Sequence, residues 1–137
     1  MRRRRSASCF TGGLTEITPG KPAEKTVATI GRADLAGTGG HVGEIVDLVP
    51  RTGRDLVMAR LASPAAGITP VPMATTPAVN GDTLTIPGYG RTKTEWVPNK
   101  LHTASFAVNS VGGAKVNIAG RTTSDTICKG DTGAPLA

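Results

Sequence analysis

The stretch Cys128-Lys-Gly-Asp-Thr-Gly-Ala-Pro-Leu136 is the most informative part of this sequence. Its centre, Gly130-Asp131-Thr132-Gly133, predicts a tight loop, because the two glycines permit positive φ angles and a close approach of the backbone. Such a loop can present the Thr132 hydroxyl on a sharp turn, and its successive N–H groups could converge on an anion. Taken alone, the pattern favours an ordinary Gly-Asp turn between two strands.

Upstream of this loop, the apolar residues recur with the spacing of β-strands. Residues 83–87 and 115–118 alternate between apolar and polar, whereas 44–49 and 56–61 are short apolar runs typical of buried strands, and 101–108 is a further candidate. Turn clusters rich in glycine, proline or asparagine lie at 37–40, 50–53, 80–82 and 112–113. No ten-residue stretch has the apolar spacing of a helix, so the predicted fold class is all-β, an antiparallel barrel or sandwich.

The composition argues against nucleic acid as a specific partner. The chain has 137 residues, enough for one domain or part of one, and a net charge of +6. The run Arg2-Arg-Arg-Arg5 holds four of its 16 basic residues, whereas a nucleic-acid-binding protein usually spreads basic residues over a face. Aromatic residues amount to 3%, too few for a platform that stacks on bases. We expect the arginine run to be a solvated tail that gives weak, salt-sensitive binding at most.

Other function classes lack their signatures. No run of 18 apolar residues could span a membrane. The arginine run is similar to the start of a signal peptide, but residues 6–13 are small and polar rather than apolar, so the chain as written carries no export signal. His41 and His102 stand alone, which predicts no metal site. Gly37-Thr-Gly39 lacks the third glycine of a dinucleotide fingerprint, and no phosphate-loop pattern occurs, so we expect no cofactor.

Four motifs, taken in order, resemble those of the trypsin-like (chymotrypsin-family) serine peptidases. The stretch from Cys128 to Leu136 is similar to the nucleophile loop Cys-x-Gly-Asp-Ser-Gly-Gly-Pro-Leu, with Thr132 for serine and Ala134 for glycine. Asp55-Leu-Val-Met-Ala-Arg-Leu61 resembles the strand whose aspartate orients the catalytic histidine. Ile86-Pro-Gly-Tyr-Gly-Arg-Thr92 resembles the Gly-Trp-Gly strand that opens the second barrel, and Gly31-Arg-Ala-Asp34 with 46–50 follows the first-barrel strands. The richness in glycine, alanine and threonine is similar to that of secreted actinobacterial members.

The resemblance implies a trypsin-like double antiparallel β-barrel with Greek-key connections, incomplete here. We expect residues 1–137 to be a partial domain truncated at both ends, with 6–61 as the first-barrel portion, 62–79 as the connection and 80–137 as the second-barrel portion. The family also implies a protein or peptide substrate and an extracellular location. Expressed as written, without an export signal, the chain would stay in the cytoplasm.

The resemblance also assigns the catalytic positions. Asp55 stands where the family has the aspartate of the triad, and Thr132 where it has the nucleophilic serine. The segment Arg5-Ser-Ala-Ser-Cys9 matches Thr-Ala-Ala-His-Cys, so Ser8 occupies the histidine position. A serine hydroxyl is a poor proton acceptor near pH 7, which removes the general base. The backbone N–H groups of Gly130 and Thr132 match the oxyanion hole, although the stiff χ1 of threonine is a handicap for a nucleophile.

The resemblance leaves two candidate residues for the base of the specificity pocket and two alternatives for the function of the chain. Asp125 or Thr126 falls at the base of the specificity pocket, depending on a shift of one residue. Cys9 and Cys128 match cysteines that pair within their own barrels in the family, so we predict that they are not bonded to each other. The resemblance implies a serine endopeptidase homologue that is catalytically impaired, a fragment or pseudo-enzyme. The alternative is a non-catalytic binding module on a peptidase-like barrel.

Overall fold

A computed structural model describes residues 2–5, 8–11, 17–113 and 115–135. Within these ranges the chain forms seven strands and one helix of a single turn. They are β1 (Arg2–Arg5), α1 (Ser8–Thr11), β2 (Val27–Ile30), β3 (His41–Pro50), β4 (Val57–Leu61), β5 (Thr83–Gly88), β6 (His102–Gly112) and β7 (Lys115–Gly120). The prediction of an all-β fold is confirmed, and each of the five predicted strand segments overlaps an observed strand. None of the described helical residues belongs to a helix long and apolar enough to cross a bilayer.

The chain divides into two compact units, Met1–Thr69 and Pro70–Ala137. The first unit holds β1 to β4 in one antiparallel sheet with the strand order β1-β4-β3-β2. Strands β3 and β4 form a hairpin in which Pro50 lies opposite Val57, closed by a turn in which the Arg51 amide bonds to the Leu56 carbonyl at 2.9 Å.

Burial alternates along β4, because successive side chains of a strand point to opposite faces. Val57, Ala59 and Leu61 are buried, whereas Arg60 between them is exposed. The buried side of this sheet packs as one apolar cluster that consists of Ile30, Ile45, Leu48, Val57, Ala59, Leu61 and Ala65. The core of the first unit therefore lies directly against the strand that follows Asp55.

The expectation that Arg2–Arg5 is a solvated tail is wrong for the backbone. These residues form β1, which pairs antiparallel with β4 so that Arg2 lies opposite Arg60 and Arg5 opposite Val57. The physical reason is the hydrogen-bonding capacity of β4. Its N–H and C=O groups that do not pair with β3 need partners, and an adjacent segment of chain supplies them whatever its side chains are.

The second unit contains a three-stranded antiparallel sheet in the order β5-β6-β7. Gly88 at the end of β5 lies opposite His102 at the start of β6. The β6–β7 pair has an irregularity between Val108 and Ser110, and Phe106 and Val108 are among its buried residues. The loop from Cys128 to Gly133 lies at the end of the sheet where β5 ends and β6 begins.

Candidate active site

The loop that contains Thr132 is built from two overlapping turns. The Asp131 amide donates to the Cys128 carbonyl at 3.1 Å, and the Ala134 amide donates to the Asp131 carbonyl at 3.0 Å. Gly130 has a φ of 107° and Gly133 a φ of 82°, angles that side-chain-bearing residues rarely adopt. The two glycines therefore permit the sharp bend that leaves Thr132 exposed between them. Leu136, the last residue of the motif, lies outside the described residues.

The carboxylate of Asp131 anchors this loop to the segment that follows β5. Its Oδ1 accepts a hydrogen bond from the Gly90 amide at 2.7 Å, and its Oδ2 accepts one from the Cys128 amide at 3.0 Å. A backbone bond of 3.0 Å from the Arg91 amide to the Lys129 carbonyl adds a second link between the loop and this segment. Hydrogen bonds to a carboxylate are shorter and stronger than those between neutral groups, so Asp131 is the main tie of the loop.

The glycines of Gly88-Tyr-Gly90 make room for this carboxylate. A Cβ atom built on Gly88 or on Gly90 would collide with the carboxylate group of Asp131. A Cβ on Gly130 would lie 3.0 Å from the Gly90 Cα, so the two backbone segments are also in close contact. As a sequence pattern, Gly88-Tyr-Gly90 serves only as a family signature, and its function in holding the loop becomes visible in the structure. The sequence signal for this function is a pair of glycines that are separated by one residue and follow a predicted strand directly.

Asp125, one of the two candidates for the base of a specificity pocket, is bound by its own neighbours. Its Oδ1 accepts from the Ser105 amide at 2.8 Å, and its Oδ2 accepts from the Thr122 amide at 2.9 Å and the Thr122 hydroxyl at 2.7 Å. The hydrogen bond from Ser105, followed by that from the Thr122 hydroxyl, lowers the pKa of Asp125 below its ordinary value of 3.8. The carboxylate thereby fastens the turn after β7 to strand β6.

Thr126, the second candidate, is exposed and has fewer contacts. Its hydroxyl lies 3.7 Å from the sulfur of Cys128, within the distance of a weak hydrogen bond to sulfur. It also lines a small cavity with Asp131 and Gly88. Thr126 therefore lies next to the loop that carries Thr132, whereas the carboxylate of Asp125 is directed to β6 and the turn.

The strand register of the first unit brings Ser8 and Asp55 to one end of the β1–β4 pair. Arg5 lies opposite Val57; Ser8 follows Arg5 by three positions, and Asp55 precedes Val57 by two. In an antiparallel pair, the residues that follow one strand and those that precede the other lie at the same end of the pair. Helix α1 begins at Ser8, and Asp55 is exposed. Thr132 belongs to the second unit.

The two histidines lie within strands, not in the loops that carry the predicted catalytic positions. His41 begins β3, and a Cβ on Gly43 would lie 2.5 Å from its Nε2 atom, so the ring lies across that glycine. Asp55 lies beyond the opposite end of β3, where Pro50 pairs with Val57. The ten residues of β3 span roughly 30 Å at ~3.3 Å per residue, so the His41 ring cannot reach Asp55.

The family model Trypsin matches residues 16–137 of this sequence. The chain belongs to the trypsin family. No curated protein matches it. The match contains Asp55, Asp125, Thr126, Gly130 and Thr132, whereas Ser8 precedes it. The prediction of a trypsin-like fold, with two antiparallel sheets of the double-barrel class, is thus confirmed. Trypsin-family proteins are serine peptidases that act on proteins and are typically secreted.

The cysteine of the trypsin-family loop is a free thiol in this chain. Cys128 is half-buried and forms no disulfide, so it is not bonded to Cys9, as predicted. Its amide is held by Asp131 and its sulfur is near the Thr126 hydroxyl. Among the residues that the structure describes, no group of three His, Cys, Asp or Glu side chains could hold a metal ion.

Proposed function

We propose that this trypsin-family chain is a catalytically impaired homologue, which keeps the nucleophile loop but lacks the general base of the catalytic triad. The observation that carries the proposal is the strand register in which Arg5 lies opposite Val57. It supports the assignment of Ser8 to the histidine position, next to the end of the strand that Asp55 precedes. Because β3 is too long for His41 to substitute, the first unit supplies no imidazole at the position of the general base.

The chemistry that remains is that of the loop. The amides of Gly130 and Thr132 flank Asp131, whose own amide is engaged by the Cys128 carbonyl, and they are the groups that we assign to an oxyanion hole. Thr132 is exposed at the nucleophile position. Attack by its hydroxyl on a carbonyl needs a base to remove the proton, and the hydroxyl of Ser8 does not supply one near pH 7.

The contacts of Asp125 support Thr126 as the residue at the base of a specificity pocket. The Asp125 carboxylate accepts hydrogen bonds from Ser105 and Thr122, and these bonds hold the chain rather than a ligand. Thr126 offers a neutral hydroxyl beside the loop. If the chain binds peptides at this position, we therefore expect no preference for a lysine or arginine side chain.

The experiment is a turnover assay of the purified chain on a panel of fluorogenic peptide amides, with Thr132→Ala as the matched control. We expect the two proteins to be indistinguishable. A peptidase that loses a triad member keeps about 10³- to 10⁴-fold catalysis over water when its oxyanion hole and binding site act, so the assay must detect rates this low. Turnover that disappears in Thr132→Ala would overturn the proposal.

A second candidate function is a non-catalytic binding module, and one surface feature favours it. Trp96 is 73% exposed and Val97 78% exposed, and the Arg91 guanidinium lies 4.4 Å from the centre of the Trp96 ring. Tryptophan and arginine are among the residue types enriched at the energetic centres of protein interfaces. Since Trp96 is the single tryptophan of the chain, peptide binding should change its fluorescence, and Val97→Asp should abolish the change. An unchanged spectrum at saturating peptide would contradict this function.

A further inference from the structure

His102 has a buried ring nitrogen whose hydrogen-bonding capacity is not used by any described residue. Its Nδ1 atom is shielded from solvent and has no partner among the described residues. Buried polar atoms in folded proteins are almost always paired with protein or with ordered water, so each exception requires an explanation. His102 is the first residue of β6 and lies opposite Gly88 of β5.

A small cavity lies beside this residue. Its volume is about 10 Å³, and the residues that line it include Ile86, Gly88, His102, Phe106, Thr126 and Asp131. A cavity of about this size holds one water molecule, provided that the water finds two or more polar partners. Three of the lining side chains are polar: the imidazole of His102, the hydroxyl of Thr126 and the carboxylate of Asp131.

The Asp131 carboxylate has unused acceptor capacity. Each of its two oxygens accepts one backbone hydrogen bond, from Gly90 and from Cys128, whereas an ionised carboxylate offers about four acceptor positions. Asp131 is half-buried, and a carboxylate removed from water requires additional hydrogen bonds or a partner charge. A donor on the opposite side of the cavity would meet this requirement.

We propose that one buried water molecule in this cavity joins the Nδ1 atom of His102 to the carboxylate of Asp131, and that His102 is thereby a positioning residue for the loop that carries Thr132. The Nδ1–H group donates to the water oxygen, and the water donates to the carboxylate. The inference concerns the order of the loop and not turnover, so it stands whether or not the proposed loss of catalysis is correct.

The first test is the tautomer of the His102 ring, measured by ¹⁵N NMR on the unmodified chain at a pH where the ring is neutral. The proposal requires the proton on Nδ1, because in the proposed bridge this nitrogen is the donor to the water oxygen. The His102→Phe variant identifies the signals, since His41 is the only other histidine. A proton on Nε2 of the neutral His102 ring would overturn the proposal.

The second test uses Cys128 as a reporter of loop order, because its amide is bound to Asp131 and its thiol is half-buried. In a Cys9→Ala background, we expect His102→Phe to raise the rate of thiol labelling at Cys128 at least tenfold. His102→Asn, which keeps a polar group near the Nδ1 position, should remain within threefold of the parent rate. The matched control His41→Phe alters a strand of the first unit and should leave the rate unchanged.

Labelling of His102→Phe at the parent rate would overturn the proposal, as would equal rates for His102→Phe and His102→Asn. If His102→Phe fails to fold, the tautomer of the unmodified chain decides the matter alone, with the His102→Asn variant used to identify the signals.

Discussion

The carboxylate of Asp131 accepts a hydrogen bond of 2.7 Å from the backbone amide of Gly90, although the two residues are 41 positions apart in the sequence. This contact, together with the bond from the Cys128 amide to the same carboxylate, ties the part of the loop that precedes Thr132 to the segment that follows β5. The position of the candidate nucleophile therefore depends on a glycine that no catalytic assignment includes.

Replacement of Gly90 by alanine should loosen this loop. The new Cβ would collide with the Asp131 carboxylate, and displacement of a tightly packed group typically costs about 1–3 kcal/mol. The free energy of unfolding from denaturant titration measures the loss. Gly112→Ala is the matched control, because a Cβ there would meet no atom within 4 Å, and it should be neutral. Equal effects of the two substitutions would contradict the anchoring function of Gly90.

The lowered pKa of Asp125 predicts that the folded chain loses stability in acid. Hydrogen bonds from Ser105 and Thr122 lower the pKa of this carboxyl group in the folded chain. The ionised carboxylate therefore stabilises the fold at pH values above its ordinary pKa of 3.8. That contribution disappears as the pH falls from there through the lower folded value. Melting temperatures measured from pH 7 down to pH 2.5 should show this decline, and Asp125→Asn should flatten it. The control Glu95→Gln removes an exposed carboxyl and should preserve the decline; an equally flat profile there would argue against Asp125.

Two neighbouring glycines of the first unit should differ in their tolerance of a side chain. Gly39 and Gly40 both have positive φ angles, 93° and 66°, so alanine is strained at either position, by about 1–2 kcal/mol. A Cβ on Gly40 would also collide with the Ile30 carbonyl oxygen, whereas one on Gly39 meets nothing within 4 Å. Thermal denaturation should therefore show Gly40→Ala to be the less stable variant. The reverse order would mean that this turn is not packed against β2.

Two valines of β6 test the core of the second unit. Val108 is 1% exposed and Val111 is 44% exposed, so truncation removes buried methyl groups only at Val108. Val108→Ala should cost about 2 kcal/mol, from the lost burial and the cavity left behind. Val111→Ala should stay within about 0.5 kcal/mol of the parent. Urea unfolding curves give both values, and a similar cost at Val111 would contradict the assigned faces of this strand.

Five of the seven described strands, β3 to β7, could be predicted from local sequence patterns, whereas β1 and β2 could not. Alternating apolar residues predicted β5 and β7, and short apolar runs predicted β3 and β4, because the period of two that buries one face of a strand is written directly in the order of residues. The stretch that begins at Asp55, the Gly88-Tyr-Gly90 motif and the loop that begins at Cys128 resemble trypsin-like motifs, and this resemblance indicates the family. These are local patterns, and they need no knowledge of which segments meet.

The contacts of the charged residues follow from the tertiary structure and not from local sequence patterns. The sequence does not indicate that the Asp125 carboxylate accepts hydrogen bonds from Ser105, 20 positions away, and from Thr122. The sequence predicts a solvated tail at Arg2–Arg5, whereas in the structure its backbone pairs with β4. Hydropathy does not encode such contacts, because they join side chains or strand edges to backbone groups that approach one another only after the chain has folded. Every residue except proline carries the same backbone donor and acceptor groups, so the folded geometry decides which of them pair with a given side chain or strand.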